Sequence, residues 1–467
     1  MDHRVLRIWD SRRRSYPLTH PRVHLILPSM GHFHADAAAA VFRSAGVRAT
    51  ALPDADEEAL RLGRANRSGK ECLPLQLTVG SLLKYLQGRT AGDELLVYFM
   101  PATGGPCRFG QYSRFMADLI ARRAQGDLAL WSPSSDNSYA DLDAGHFTLK
   151  LWTALSIADR MADLEGVLRA TACDRGAALA LYDEECRSLL AALASDPTLK
   201  ALLPGLKRTA ARLKSVPLRQ PPGEIPTILL TGEIFVRHDA LSRQDLVERL
   251  ADQGFAVRVA GLTEWIHYTD LGVRHGWNGR SPTLAERALW FLRTTWKRRY
   301  ERIVAETLAA SGLIPRRVRP VADLVERARP LISPLLLGES VLTVGSALAE
   351  VPQPHCGVIA LGPFGCMPNR VAEALLTPTM NRGGDRSSVH ADGGTAATRA
   401  WDQTPLPFLA IETDGTPFAQ LVEARLEVFL MQATRVHARL RATSTPVRTA
   451  DPASAGPRAP ATNRPSE

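Results

Sequence analysis

Cysteine is sparse in this sequence, with six in 467 residues, which excludes a fold held together by a disulfide framework. Lysine is nearly as rare: seven of the 57 basic residues are lysine, and the rest are arginines scattered over the whole chain. A net charge of +9 spread in that way lacks the concentrated stripe that grips nucleic acid, so no nucleic-acid partner is expected. The densest basic run, Lys297-Arg298-Arg299-Tyr300-Glu301-Arg302, falls on an expected helix and reads first as a solvated face, with a phosphate or CoA contact as the alternative. Apolar runs long enough to span a bilayer, about 18–20 residues, are absent, so no membrane partner is expected. Met1-Asp2-His3-Arg4 leads into no apolar h-region, so no signal peptide is expected, and a cytoplasmic, reducing setting follows. Internal sequence repeats are also absent.

The chain does carry 45% hydrophobic residues and a mean hydropathy of −0.11, the balance of an ordinary globular protein with sizeable cores. Residues 1–22 are polar and arginine-rich and read as a loosely held arm. From residue 23 strand and helix signals alternate: strands at 23–28, 47–52, 94–100 and 128–131, helices at 34–44, near 55–63, near 75–87 and at 109–122. That alternation predicts a doubly wound parallel sheet over 23–140. Residues 141–220 lose the strand signal and read as a helical insert rich in alanine and leucine. Gln220-Pro221-Pro222-Gly223 marks a boundary. A second α/β lobe is expected over 221–441, with strands at 227–233, 255–260, 357–361 and 408–412. Its long helix covers 283–312, and its last helix, near 417–441, aligns Leu421, Ala424, Val428 and Met431 on one face. Residues 383–398 read as a flexible loop, and the proline-bearing tail 442–467 as disordered. The fold class is therefore α/β, with two Rossmann-like parallel-sheet lobes and a helical insert.

The six cysteines divide by setting. Cys72, Cys107 and Cys366 sit in loops framed by glycine and proline: Ser68-Gly69-Lys70-Glu71-Cys72-Leu73-Pro74, Gly105-Pro106-Cys107-Arg108-Phe109-Gly110-Gln111-Tyr112 and Gly362-Pro363-Phe364-Gly365-Cys366-Met367-Pro368. Cys107 and Cys366 follow strands, where α/β sheets place their ligand sites, and Cys72 precedes a helix opened by Pro74. A helix N-terminus favours thiolate and is expected to lower the pKa of each thiol. Cys173 and Cys186 fall within the helical insert, where a buried inert thiol is expected. Cys356 stands at the opposite end of the strand leading to Cys366, and a rise of about 3.3 Å per residue keeps the two roughly 20 Å or more apart. Three thiolates do not complete a structural zinc site. They suit a [4Fe–4S] cube with one iron left open, and a thiol nucleophile needing a His or Asp partner is the competing chemistry. His32 and His34, after the first strand, are candidates to line the same crevice, to supply a fourth ligand or to donate a proton. Glu233 and Asp414 also follow strands, with helix capping or ion pairing as the alternative to a crevice role.

These three cysteine segments resemble the C-terminal part of large CoA-substrate-specific enzyme activases, a region itself similar to subunits of 2-hydroxyacyl-CoA dehydratases. Further matches are Gly232-Glu233-Ile234 with Arg237, Gly338-Glu339 before Gly345, and Glu412-Thr413-Asp414-Gly415 with Arg425 and Phe429, so the resemblance covers about residues 23–435. It implies stacked Rossmann-like lobes carrying a [4Fe–4S] cluster on Cys72, Cys107 and Cys366. It also implies Arg108 and Gln111 at the cluster rim or facing an incoming partner, and an acyl-CoA substrate. In such dehydratases an ATP-driven activase supplies one low-potential electron, which produces a ketyl radical that expels the hydroxyl group. Gly63 to Lys70 is no phosphate-binding loop, because five residues separate Gly63 from Gly69 and Glu71 follows Lys70. ATP chemistry is therefore expected from a separate activase acting in trans. A non-catalytic partner of a CoA-enzyme complex is the alternative function, and a cysteine-dependent acyl-transfer enzyme stands behind it.

Overall fold

The computed structural model describes residues 6–31, 33–66, 69–89, 92–123, 127–135, 147–277, 279, 283–316, 318–351, 354–381 and 405–444. The expected flexible loop at 383–398, the tail from 445 onward and His32 lie outside them. The first described residues do not trail as a loose arm. β1 (Arg7–Trp9) and β2 (Ser15–Pro17) pair antiparallel. Asp10, buried in the turn, accepts the amides of Arg12 (3.0 Å) and Arg14 (2.8 Å) and the guanidinium of Arg22 (3.1 Å). Ile8 and Leu18 enter the core, so the hairpin is held at both ends.

The first parallel sheet holds β3 (Val23–Leu27), β4 (Ala49–Ala51), β5 (Leu95–Phe99) and β6 (Asp127–Trp131) in the order β4-β3-β5-β6. The second holds β7 (Thr227–Gly232), β8 (Ala256–Val259), β9 (Gly357–Pro363) and β10 (Phe408–Thr413) in the order β10-β9-β7-β8. Counted within each lobe, both orders are 2-1-3-4, so two lobes without detectable sequence repeat share one topology. These are two Rossmann-like lobes. Strands covered on both faces need apolar side chains on both, and every residue of β3 and β9 is buried. In such sheets the chain leaves strands one and three toward opposite sides, and a crevice opens beyond their carboxyl ends. Here those strands are β3 and β5 in one lobe, and β7 and β9 in the other.

Three helices, Phe147–Thr171, Arg175–Ser195 and Leu199–Lys214, form the insert. The first packs on helix His34–Ser44 of the first lobe and on β8 of the second. Seventeen of its 25 residues are buried, which explains an apolar pattern with no single face. Cys186 is buried inside the second insert helix as expected, whereas Cys173 is exposed in the turn before it. The last helix, Gln420–Ser444, buries Leu426, Phe429, Leu430, Ala433 and Val436. Leu421, Ala424, Val428 and Met431, which the spacing aligns on one face, are exposed together on the opposite side. Both stripes have helical spacing, and the position of the sheet selects between them. Among the described residues no helix is long and apolar enough to cross a membrane.

Candidate functional site

The carboxyl ends of the two sheets meet along a seam between the lobes. Behind β3, the Gly31 turn approaches His238, which lies just beyond β7: a Cβ built on Gly31 would sit 3.3 Å from the His238 Cβ. Behind β10, the Asp414 carbonyl accepts the Arg64 guanidinium of the first lobe (2.7 Å). Behind β5, Gly105 takes φ +88°, and a Cβ there would lie 2.8 Å from the Leu337 carbonyl oxygen of the second lobe. Glycine is required at that crossing both for its conformation and for the close approach.

Each of the three loop cysteines opens a helical segment at this seam. Cys72 is the N-cap of helix Leu73–Gln87, and its Sγ lies 2.5 Å from the Tyr112 hydroxyl. Cys107 caps the 3-10 turn Arg108–Gln111, its sulfur accepting the Phe109 amide at 3.4 Å. Cys366 directly precedes helix Met367–Asn381. The Cys72 loop is fixed from behind. Helices Glu57–Ala65 and Leu73–Gln87 cross with backbones in contact, since a Cβ on Gly80 would fall 1.7 Å from the Ala59 carbonyl oxygen and one on Gly63 1.8 Å from that of Gln76. Arg108 donates to the Lys70 carbonyl at 2.7 Å and so ties the Cys107 turn to the Cys72 loop.

The three thiols occupy one electrostatic neighbourhood. Cys107 feels the charge of Cys72, Cys366 that of Cys107, and Glu233 bears on all three. Burial raises every one of their pKa values, that of Cys107 to about 12, and nearby carboxylates add to the rise. The lowering expected from the helix N-termini is therefore outweighed, because removing a thiolate from water costs more than one turn of aligned amides returns. The Tyr112 hydroxyl bond and Arg108 act in the opposite direction at Cys72. Glu233 accepts the amides of Phe235 (3.1 Å) and Val236 (2.9 Å), so it is a helix cap. Glu339 accepts the Ile234 amide at 3.0 Å. Burial, then the adjacent Glu233, raise its pKa to about 8, so it carries a proton at neutral pH. Glu339 lay in a matched segment, but nothing in the sequence near it indicated a second carboxyl group 106 positions upstream.

The other candidates separate. Arg108 and Gln111 are exposed beside Cys107. His34 is buried away from the thiols: its Nε2 meets Asp159 at 2.9 Å, and its ring stands 4.9 Å from that of His238. Asp159 also accepts the amides of Leu262 (2.9 Å) and Thr263 (3.0 Å) and the Thr263 hydroxyl. One aspartate of the insert thus pins a histidine of the first lobe to a helix start in the second. Burial works to raise the pKa of Asp159, but the His34 bond and the Thr263 donors hold it below the ordinary aspartate value. Asp414 caps its own turn through Thr416 (3.0 Å). Arg237 is buried and donates to the carbonyls of Ala260 (2.8 Å), Gly232 (2.7 Å) and Gly261 (3.1 Å), lacing the ends of β7 and β8 together. Cys356 is buried just before β9, at the far end of that strand from Cys366, with its thiol on the Thr227 carbonyl (3.3 Å). Among the described residues no three His, Cys, Asp or Glu side chains are grouped to hold a single metal ion. No protein-family model and no curated protein matches the chain.

Proposed function

We propose that the chain is a [4Fe–4S] protein of the 2-hydroxyacyl-CoA dehydratase and CoA-activase type, with Cys72, Cys107 and Cys366 as cluster ligands. One observation carries the reading: three thiols from three strand-end or helix-start loops, two in one lobe and one in the other, share one electrostatic neighbourhood at the crevice mouth. The thiolates of a cubane bind separate irons, so its ligands need not be grouped as those of a single ion are. The donor set fits such a group: thiols on loops held by backbone contacts, near amides that offset negative charge.

Bound there, the cluster supplies one-electron chemistry at low potential. The protein's own residues supply the setting. With Cys72 a thiolate ligand, the Tyr112 hydroxyl would donate to its sulfur and hold its orientation. Arg108 keeps the two first-lobe loops in register and leaves positive charge at the exposed rim, where a separate ATP-dependent activase would dock. Glu339, protonated at neutral pH, keeps one negative charge out of the seam. An acyl-CoA thioester is the substrate class this reading implies. The competing thiol nucleophile is disfavoured: the raised thiol pKa values leave little thiolate at neutral pH, and among the described residues no histidine hydrogen-bonds to Cys72 or Cys107.

Anaerobic purification and reconstitution test the proposal. The expected product is brown, with about four irons per chain, and Cys107→Ala loses most of that iron. A colourless, iron-free protein after anaerobic reconstitution overturns it.

A further inference from the structure

A cavity of about 660 Å³ lies in the second lobe, between helices Leu262–His275 and Leu284–Ala309 and the start of helix Val321–Ala328. Its volume suits a nucleotide-sized molecule. Five arginines line it: Arg274, Arg298, Arg302, Arg316 and Arg319. Among the described residues none of the five forms an ion pair.

The acids in the same wall are already engaged. Asp270 holds the buried Lys297 ammonium (2.9 Å), Glu301 holds His267 (3.0 Å), and Glu264 faces Arg258 (3.5 Å). Glu306 alone stands against five guanidinium groups in that lining. Arg298 and Arg302 are four residues apart on one helix, a like-charge spacing that destabilises a helix unless an anion lies between. Helix Val321–Ala328 adds its positive end, because Val321 and Ala322 line the cavity and no side chain caps that terminus. Leu271, Ala305 and Val318 provide an apolar patch beside the charges.

We infer that this cavity binds a phosphorylated ligand of nucleotide size, its phosphates on the unpaired arginines and its ring against the apolar patch. Planar guanidinium groups grip phosphate through paired hydrogen bonds, which lysines do not match. The inference is argued from the cavity lining and does not rest on the iron–sulfur reading, although its coenzyme A arm would supply the acyl-CoA site of that reading. The cavity and the thiol loops use opposite faces of helix Leu262–His275: Glu264, His267, Leu271 and Arg274 face the cavity, whereas Tyr268 and Gly272 lie toward Thr103 and Gly104.

Two sources carry this chemistry, a free nucleotide and the phosphorylated adenosine end of coenzyme A. Calorimetric titration of the full, iron-free chain with ADP, coenzyme A and adenosine distinguishes them. Saturable binding of ADP or coenzyme A is expected, the tighter of the two naming the source, with adenosine at least about tenfold weaker. Arg298→Ala combined with Arg302→Ala removes two exposed side chains, and the better ligand is expected to weaken at least about tenfold. Arg299→Ala removes an equal kind of charge outside the lining and is expected to change binding less than about twofold. The inference is overturned if neither ADP nor coenzyme A saturates below about 1 mM, if adenosine binds as well, or if the double variant and Arg299→Ala weaken binding alike. Iron plays no part in the titration, so its failure leaves the cluster proposal standing, and the converse holds.

Discussion

Gly80→Ala isolates the crossing that fixes Cys72. The added Cβ would lie 1.7 Å from the Ala59 carbonyl oxygen, with the Ala59 carbon at 2.5 Å and the Gly63 amide nitrogen at 3.0 Å. All three are backbone atoms, so no side chain can swing aside. A relaxed C···O contact is about 3.3 Å, so the helices must part by about 1.6 Å. That separation opens the packing of Leu62, Leu75 and Val79, and overpacking of this kind costs about 1–3 kcal/mol. The melting temperature is expected to fall by about 3–10 °C. Because Cys72 caps the displaced helix, its bond to Tyr112 loosens as well, and alkylation of Cys72, mapped by mass spectrometry, is expected to accelerate relative to the buried Cys186. Gly88→Ala, at the residue that ends the same helix, serves as the control, since its Cβ would meet nothing closer than 3.6 Å. The reasoning fails if Gly80→Ala melts with Gly88→Ala and labels at the same rate.

Asp159→Ala strands His34, the Leu262 and Thr263 amides and the Thr263 hydroxyl at once, and urea denaturation is expected to register a loss of about 3–5 kcal/mol at neutral pH. The Asp159 pKa is lower in the folded chain, so its contribution is complete above the ordinary value of 3.8 and disappears as pH falls toward the folded value; parent and variant should converge in acid. Glu339 behaves in the opposite sense. Its folded value of about 8 lies above the ordinary 4.5, so stability is intact below 4.5 and declines as pH rises through 8. Glu339→Gln is expected to flatten the fall in melting temperature between pH 5 and 8.5, and parallel profiles would contradict this assignment.

The strands and their loops were legible because parallel strands buried on both faces are unbroken apolar runs, and glycine and proline mark where they stop. Helix His34–Ser44 begins and ends where its spacing places it, and Pro74 announces the start behind Cys72. Glu233 and Asp414 proved to be caps, as short acidic side chains after strands often are. What could not be read were partnerships across long separations. Asp159 and His34 are 125 residues apart, and each looks unremarkable alone: one lies in an alanine- and leucine-rich helix, the other at the first position of a helix. The thiol pKa values run opposite to the sequence expectation for a related reason. The helix N-terminus is a local feature, whereas the burial that outweighs it comes from residues distant in sequence, as where Tyr112 covers Cys72. The basic run at 297–302 reads as a solvated face until the second wall of arginines, from 316 and 319, is folded against it.

The division of the cysteines between lobes bears on mechanics as well as chemistry. Cys72 and Cys107 belong to one half of the molecule and Cys366 to the other. A ligand held by all three thiols stabilises the closed seam rather than either lobe, by an amount that grows with its occupancy. Hinge play between the lobes would then be set by cofactor loading, and neither half expressed by itself would retain the group.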